Sequence, residues 1–364
     1  MLVMIAAGGT GGHLYPGVAL AREFERQIPG SETMFVGTTR GIEQRVMLRE
    51  GFALVTIAAR GVMGKGIGGA LQGVAMVPFG VAQCLSICRQ QRPDLAIGVG
   101  GYTSPPLILA AWLLGIPRVI VEPNVYPGVA NRVLAPIADR VFVSFVGARA
   151  FFGAKKTSVV GTPIRREFLC AQPVEPATEG PTLLILGGSQ GARSINRAMI
   201  AALPSLVAAH PGLRVIHQTG ERDYEDVSAA YRTRSSSAQM VVTPFIYDMP
   251  RAFRQADLIV SRSGATTVAE ITACGKPAIL VPFPHAIHGH QEQNALVLER
   301  VGAAQMIDDA RLADGVLAGA ISALLNRPEQ LCEMARCSQS VGQADAAEAI
   351  VSNCRTLVGA GQGT

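Results

Sequence analysis

Six residues near the amino terminus, Gly8-Gly9-Thr10-Gly11-Gly12-His13, combine backbone freedom with one titratable side chain. Glycines let the chain take positive φ and let a ligand approach N–H groups that a Cβ would shield. A helix N-terminus behind them favours an anion. The chemistry this suggests is a phosphate cradle, with a dinucleotide fold and a ligand-free tight turn as alternatives that glycine spacing leaves open. His13 is the unusual member, because histidine as a residue type titrates near neutrality and a dinucleotide site has no use for one.

In the second half, the run Ser261-Arg262-Ser263-Gly264-Ala265-Thr266-Thr267-Val268-Ala269-Glu270 follows an apolar stretch. Small residues at a helix start make a diphosphate seat, and Thr266 and Thr267 add hydroxyl donors. Glu270, one turn further, suits a ribose diol or, alternatively, a capping box with Thr267. Gln291, Gln293 and Asn294 follow a second such stretch, and their amides suit sugar hydroxyls. His285, His288 and His290 share that segment without a fourth ligand, so no metal site is expected. The chain has no D-x-D triplet, which leaves helix termini and Arg165 to hold a diphosphate. In the first half, the loops around Tyr102 to Ser104 and Glu122 to Gly128 surround His13 or are simply turns.

These residues need strand-to-helix junctions to hold them. Short β-branched runs, Thr33 to Gly37, Leu54 to Ile57, Leu95 to Val99, Arg118 to Glu122, Val141 to Ser144 and Ser158 to Val160, alternate with segments of helical period. That alternation predicts βαβ units and a parallel sheet. Residues Leu169 to Pro181 read as a linker, after which Thr182 to Leu186, Leu213 to His217, Met240 to Thr243, Leu258 to Ser261 and Ala278 to Val281 form a second series. Its first strand also empties into a glycine loop, Gly187 to Gly191. The expectation is an α/β chain of two Rossmann-like domains whose parallel sheets face a cleft. They comprise residues 1–162, joined by a C-terminal helix at about 343–358, and residues 163–342.

Composition agrees with two ordered domains: 364 residues, about half of them apolar, with 40 glycines. Seven cysteines without paired spacing read as reduced thiols, with Cys84 and Cys88 in the core. No basic leader precedes the first apolar run. The apolar stretch between Pro105 and Pro117 is shorter than the ~20 residues a membrane span needs. Residues 1–160 hold 15 Lys and Arg against 8 Asp and Glu, so the whole net charge of +5 resides there. The glycine-interrupted segment Arg60 to Phe79 carries apolar residues beside Arg60 and Lys65, which fits a membrane surface or a mobile lid.

Taken in order, GGTGGH, GVGGYTS, EPNVYPGVANR, GTPIR, LGGSQGA, SRSGATTVAE and HQEQNA resemble the MurG family of bacterial glycosyltransferases over essentially the whole chain. The resemblance implies the GT-B architecture and an inverting transfer of N-acetylglucosamine from UDP-GlcNAc. The acceptor it implies is the 4-hydroxyl of the muramoyl sugar in undecaprenyl-diphosphate-linked N-acetylmuramoyl-pentapeptide. That is the step from lipid I to lipid II in peptidoglycan synthesis, with consequences for cell shape and division. It puts Thr10, Gly11, Gly12 and Asn124 at the donor sugar and phosphate. Arg165, Ser189, Ile246 and Gln291 complete the donor site, and Ala265, Thr266 and Glu270 hold the diphosphate and ribose. His13 becomes the candidate general base, and Tyr102, Thr103 and Ser104 lie on the acceptor side. The first domain becomes the acceptor- and membrane-facing one, and the second the UDP-GlcNAc-binding one. The resemblance implies no metal or other cofactor and no nucleic acid. It implies peripheral attachment to the cytoplasmic face of the inner membrane, with room for cell-wall synthesis proteins as partners. Thr162 stands where the family more often has Asn.

Overall fold

The structure, a computed structural model, describes residues 1–9, 11–39, 43–59, 61, 66–169, 180–188, 190–234 and 239–361. It divides into two compact units, Met1–Arg165 with Gln343–Thr364, and Arg166–Gly342.

In the first unit the elements run β1 (Leu2–Ala6), α1 (Gly11–Gln27), β2 (Glu32–Gly37), α2 (Glu43–Glu50), β3 (Ala53–Thr56), α3 (Gly66–Gln91), β4 (Leu95–Gly98), α4 (Ser104–Leu113), β5 (Arg118–Glu122), α5 (Val129–Leu134), β6 (Arg140–Val143) and β7 (Thr157–Val159). All seven strands are parallel, in the order β3-β2-β1-β4-β5-β6-β7. Helices cover both faces, so the central strands are near-continuous apolar runs. Successive side chains point to opposite faces: Val3 and Ile5 join one core cluster, Met4 and Ala6 the other. Helix α1 turns Leu14, Val18, Ala21 and Phe24 toward the first cluster, and each large side chain so buried stabilises by ~1.5–3 kcal/mol. Cys84 and Cys88 sit in the second cluster, where burial pushes their thiols up to about 12 and about 11.

The second unit runs β8 (Thr182–Leu186), α6 (Arg193–Ala209), β9 (Arg214–Gln218), α7 (Tyr224–Arg234), β10 (Gln239–Thr243), α8 (Met249–Gln255), β11 (Leu258–Ser261), α9 (Ala265–Ala273), β12 (Ala278–Leu280), α10 (His290–Arg300), β13 (Ala304–Met306), α11 (Val316–Leu325) and α12 (Pro328–Ser340). Its six parallel strands take the order β10-β9-β8-β11-β12-β13. Strand β13 has no counterpart in the sequence reading. It is three residues long with Gln305 at its centre, and its pairing with β12 is what makes it a strand. The final helix, α13 (Ala346–Gly361), belongs to the first unit and packs on α1. Ala347, Ile350, Val351, Cys354 and Val358, at helical spacing, enter the same cluster as Val3 and Leu14.

The stretch Arg60 to Phe79 is described at Gly61 and from Gly66, where it forms the first turns of α3. The rest of that stretch, and residues 170–179 of the expected linker, lie outside the described residues.

Candidate functional site

In an open parallel sheet ligands meet the carboxyl ends of strands where the strand order reverses. In the first unit that point lies between β1 and β4, whose following loops carry Gly8 to Gly12 and Val99 to Thr103. The two loops are bound to each other. Gly8 N–H donates to Thr103 Oγ1 at 2.9 Å, and the Ser104 hydroxyl to the Ala6 carbonyl at 3.2 Å. A methyl group on Gly101, at φ +75°, would lie 2.1 Å from the Gly8 carbonyl oxygen. Glycine is required there for close approach between two loops, not to admit a ligand.

Gly11 and Gly12 open α1, and His13, half-buried, lies in the helix's first turn. The imidazole rests on the second loop: a Cβ at Gly100 would be 2.9 Å from its Cδ2 and 3.0 Å from its Nε2. The paired glycines of GVGGYTS therefore make the space that the ring fills. Tyr102 is half-buried and its ring edge is 3.1 Å from where a Cβ on Gly9 would stand. Burial raises its phenol above the ordinary range, against a hydrogen bond shared with Thr38. Thr103 and Ser104 are wholly buried and bonded to the loops, so they shape the site from behind.

Glu122, at the end of β5, is a buried carboxylate surrounded by donors. Asn124 N–H and Nδ2 reach Oε1 at 2.9 and 3.0 Å, and Gly128 N–H and Asn131 Nδ2 reach Oε2 at 2.9 Å each. Burial pushes its carboxyl up while those four donors pull it down. Glu122 thus sets the loop that carries Asn124. Thr162, in place of Asn, pairs with Ser144 at 2.6 Å beside the same strand end. Arg165, expected with the donor-site residues of residues 163–342, falls in the first unit, its guanidinium 4.6 Å over the Tyr15 ring of α1.

The second unit repeats the arrangement at the reversal between β8 and β11. Gly191, at φ +78°, would place a Cβ 2.3 Å from the Thr219 carbonyl oxygen, so the loop after β8 lies on the loop after β9. Asn196 Nδ2 holds that carbonyl at 3.0 Å, and Asn196 Oδ1 in turn meets His217 Nε2 at 3.0 Å. His217 is fully buried, and desolvation pushes it down to about 3.

Helix α9 starts at Ala265 behind Gly264, and no side chain caps it. Its first turn, with Ala265 and Thr266, presents the positive end of the helix dipole at this strand edge. Glu270 is buried one turn further in. The capping-box alternative is removed, because the cap position belongs to Gly264 and Thr267 lies inside the helix. Gln291, in the first turn of α10, accepts the Phe283 N–H on Oε1 at 3.0 Å and the Ser263 hydroxyl on its main-chain oxygen at 2.8 Å. Ile246 is half-buried in the loop after β10, between the edge-stacked rings of Phe245 and Tyr247. Thr10 and Ser189 lie outside the described residues. Among the described residues no group of three His, Cys, Asp or Glu could hold a metal ion, and His285, His288 and His290 do not converge on one.

Two residues escaped the sequence reading. Glu43 begins α2 and accepts the Gly9 N–H at 2.8 Å; its only mark in the sequence was an acid a few residues past the end of β2. Arg262 stood inside the SRSGATTVAE motif with no role of its own. Its guanidinium donates to Asp309 Oδ1, to the carbonyls of Val281 and Pro282, and to Ser194 Oγ at 2.9 Å, and so ties four segments of the carboxyl edge together.

Comparison with known proteins adds to this geometry. Residues 3–143 match the glycosyltransferase family 28 N-terminal domain and residues 182–350 its C-terminal domain. A UDP-N-acetylglucosamine--N-acetylmuramyl-(pentapeptide) pyrophosphoryl-undecaprenol N-acetylglucosamine transferase of Geobacter sulfurreducens is 46% identical, over 96% of this chain and 97% of that protein. The enzyme of the same name in Syntrophus aciditrophicus is 46% identical over 98% of each. The crystal structure of Acinetobacter baumannii MurG is similar with TM-score 0.75 and 31% identity, over 98% of this chain and 99% of that one. A Neisseria meningitidis UDP-GlcNAc 2-epimerase bound to UDP-GlcNAc shares the fold at TM-score 0.68 and 13% identity, covering 97% of this chain and 99% of that one.

Proposed function

This chain belongs to glycosyltransferase family 28, and from that membership we propose that it moves N-acetylglucosamine from UDP-GlcNAc to lipid-linked muramoyl-pentapeptide. The acceptor oxygen is the 4-hydroxyl of the muramoyl sugar on undecaprenyl diphosphate, and the product is lipid II of peptidoglycan synthesis. Full-length similarity to enzymes of that name, over both domains, carries the reading.

The second unit takes the donor. The start of α9 at Ala265 and Thr266 receives the diphosphate, and Glu270 accepts from the ribose diol. Ile246 offers its backbone to uracil, and Gln291 and Ser189 complete the site. Thr10, Gly11, Gly12, Asn124 and Arg165 are assigned to the donor's sugar end and phosphate. His13 takes the proton from the acceptor hydroxyl as that oxygen attacks the anomeric carbon and UDP leaves, so the configuration inverts. Helix-terminal amides stabilise negative charge growing on the leaving oxygen. Thr103 and Ser104 act by shaping the acceptor side, with Tyr102 at its edge.

Helices α3 and α4 pack together and expose Phe79, Trp112 and Leu113. Among the described residues no helix is long and apolar enough to cross a membrane. We assign these exposed apolar side chains, with the basic excess of the first half, to peripheral contact with the cytoplasmic membrane surface.

Acceptor-dependent UDP release tests the reading: purified protein with UDP-GlcNAc should release UDP only when the lipid-linked muramoyl acceptor is present. Release without acceptor, or none with it, overturns the activity. A nucleotide-sugar-binding subunit would bind UDP-GlcNAc and release nothing. Replacing His13 by Ala should cost ~10²–10⁴-fold in kcat, the usual worth of a general base. Unchanged turnover would remove His13 from that role.

A further inference from the structure

Glu43 lies behind the glycine loop rather than in front of it. It is 1% exposed, and Oε1 accepts both the Gly9 N–H at 2.8 Å and the Tyr102 hydroxyl at 3.4 Å. Oε2 is buried and has no hydrogen-bond partner among the described residues. With Thr103 on the Gly8 N–H, Glu43 on Gly9 means that both amides preceding Thr10 are taken up by the protein itself.

This arrangement bears on where an anion sits. A carboxylate accepting a backbone N–H forms a charge-assisted bond about twice as strong as a neutral one. It turns the Gly9 amide inward. An incoming phosphate is therefore refused by Gly9 and met only further along, at the N-terminus of α1, where the helix dipole favours it. The same bond fixes Gly9 two residues before α1 begins, and His13 stands in that helix's first turn. An acid serving only to fill space would do so at a cost, because one of its oxygens is buried unpaired.

We propose that Glu43 is a positioning residue for the transfer: through its bond to Gly9 it fixes the glycine loop and thereby the placement of His13 and of the anion at α1. The inference rests on the proposed activity. It predicts that the acceptor function of Oε1, and its reach, matter more than the negative charge.

The variants Glu43→Ala, Glu43→Gln and Glu43→Asp separate these possibilities in the acceptor-dependent UDP-release assay, with kcat and KM measured for each substrate. Gln keeps a carbonyl oxygen at the same reach, whereas Asp keeps the charge but falls short by one methylene. Misplacement of a reacting group by about 1 Å costs on the order of 10²-fold. Glu43→Ala and Glu43→Asp should therefore lose ~10–100-fold in kcat, with KM for UDP-GlcNAc within about two-fold of wild type. Glu43→Gln should stay within about five-fold of the parent, its neutral acceptor being roughly half as strong. Unchanged kcat in Glu43→Ala overturns the proposal, as does a loss expressed only in KM for UDP-GlcNAc. If thermal scans show Glu43→Ala unfolded, the Gln and Asp pair decides: Asp as active as Gln or more so overturns it. Wild-type protein without acceptor-dependent release refutes the underlying activity, a result distinct from any ranking among the variants.

Discussion

Thr103 offers a test of how the first loop is held. Its hydroxyl, with the residue wholly buried, accepts the Gly8 N–H at 2.9 Å, and its methyl carbon lies 2.6 Å from where a Cβ on Gly8 would stand. Thr103→Val keeps the shape and removes the acceptor, leaving the Gly8 amide buried and unpaired. An orphaned buried donor costs ~1–3 kcal/mol. Thr103→Ser keeps the acceptor and removes one methyl group, worth about 1 kcal/mol. Val should therefore be the more damaging change even though it is the closer isostere. For a unit of this size each kcal/mol lowers the midpoint by about 2–4 °C, so Val should cost ~2–12 °C and Ser ~2–4 °C in the transition of the first unit. Calorimetry of the two variants beside wild type, followed by UDP-release kinetics, reads both quantities. Activity should fall in the same order, because the loop precedes His13. A Val variant that melts with wild type while Ser melts lower would mean packing holds the loop, and the hydrogen-bond argument would be wrong.

Further expectations concern the second unit and the exposed face. Arg262→Lys cannot reproduce a fork that serves Asp309, Ser194 and two carbonyls. The loss of one or two charge-assisted bonds at a partly exposed site, ~1–2 kcal/mol after screening, should raise KM for UDP-GlcNAc roughly ten-fold, measurable in the release assay. His217, pushed down to about 3 in the folded state, stays neutral while the unfolded chain takes up a proton below its ordinary pKa of about 6.5. Stability is then full above pH ~6.5 and declines as pH falls toward 3, by about 2 kcal/mol at pH 5. Urea titrations at pH 7 and 5 should show His217→Gln losing less than wild type over that interval; equal losses would contradict the assignment. The double variant Phe79→Ser with Trp112→Ser should sediment less with anionic vesicles, while transfer to a detergent-soluble acceptor is unchanged; vesicle binding equal to wild type would remove α3 and α4 from the membrane contact.

Much of the fold was legible in short-range pattern. The strand runs are legible from period and β-branched content, because a strand buried on both faces is apolar throughout, as β1 and β4 are. Both glycine loops were visible as loops because they follow such runs. The helical spacing of Ala347 to Val358 was visible too, whereas its place in the core beside Val3 and Leu14 was not. Strand β13 escaped, since three residues carry no period and only pairing with β12 makes them a strand.

Sequence by itself determined which residues could do chemistry and that they follow strands: His13 after one glycine loop, Thr266 and Glu270 at the start of α9. Tertiary structure alone decided what the glycines are for and what holds the site. Gly101 serves the Gly8 carbonyl, Glu43 reaches Gly9 across 34 residues, and Ser194 reaches Asp309 across 115. The physical reason lies in the strand order. A parallel sheet brings to one edge the ends of strands distant in the chain, and hydrogen-bond partners chosen there leave no spacing behind.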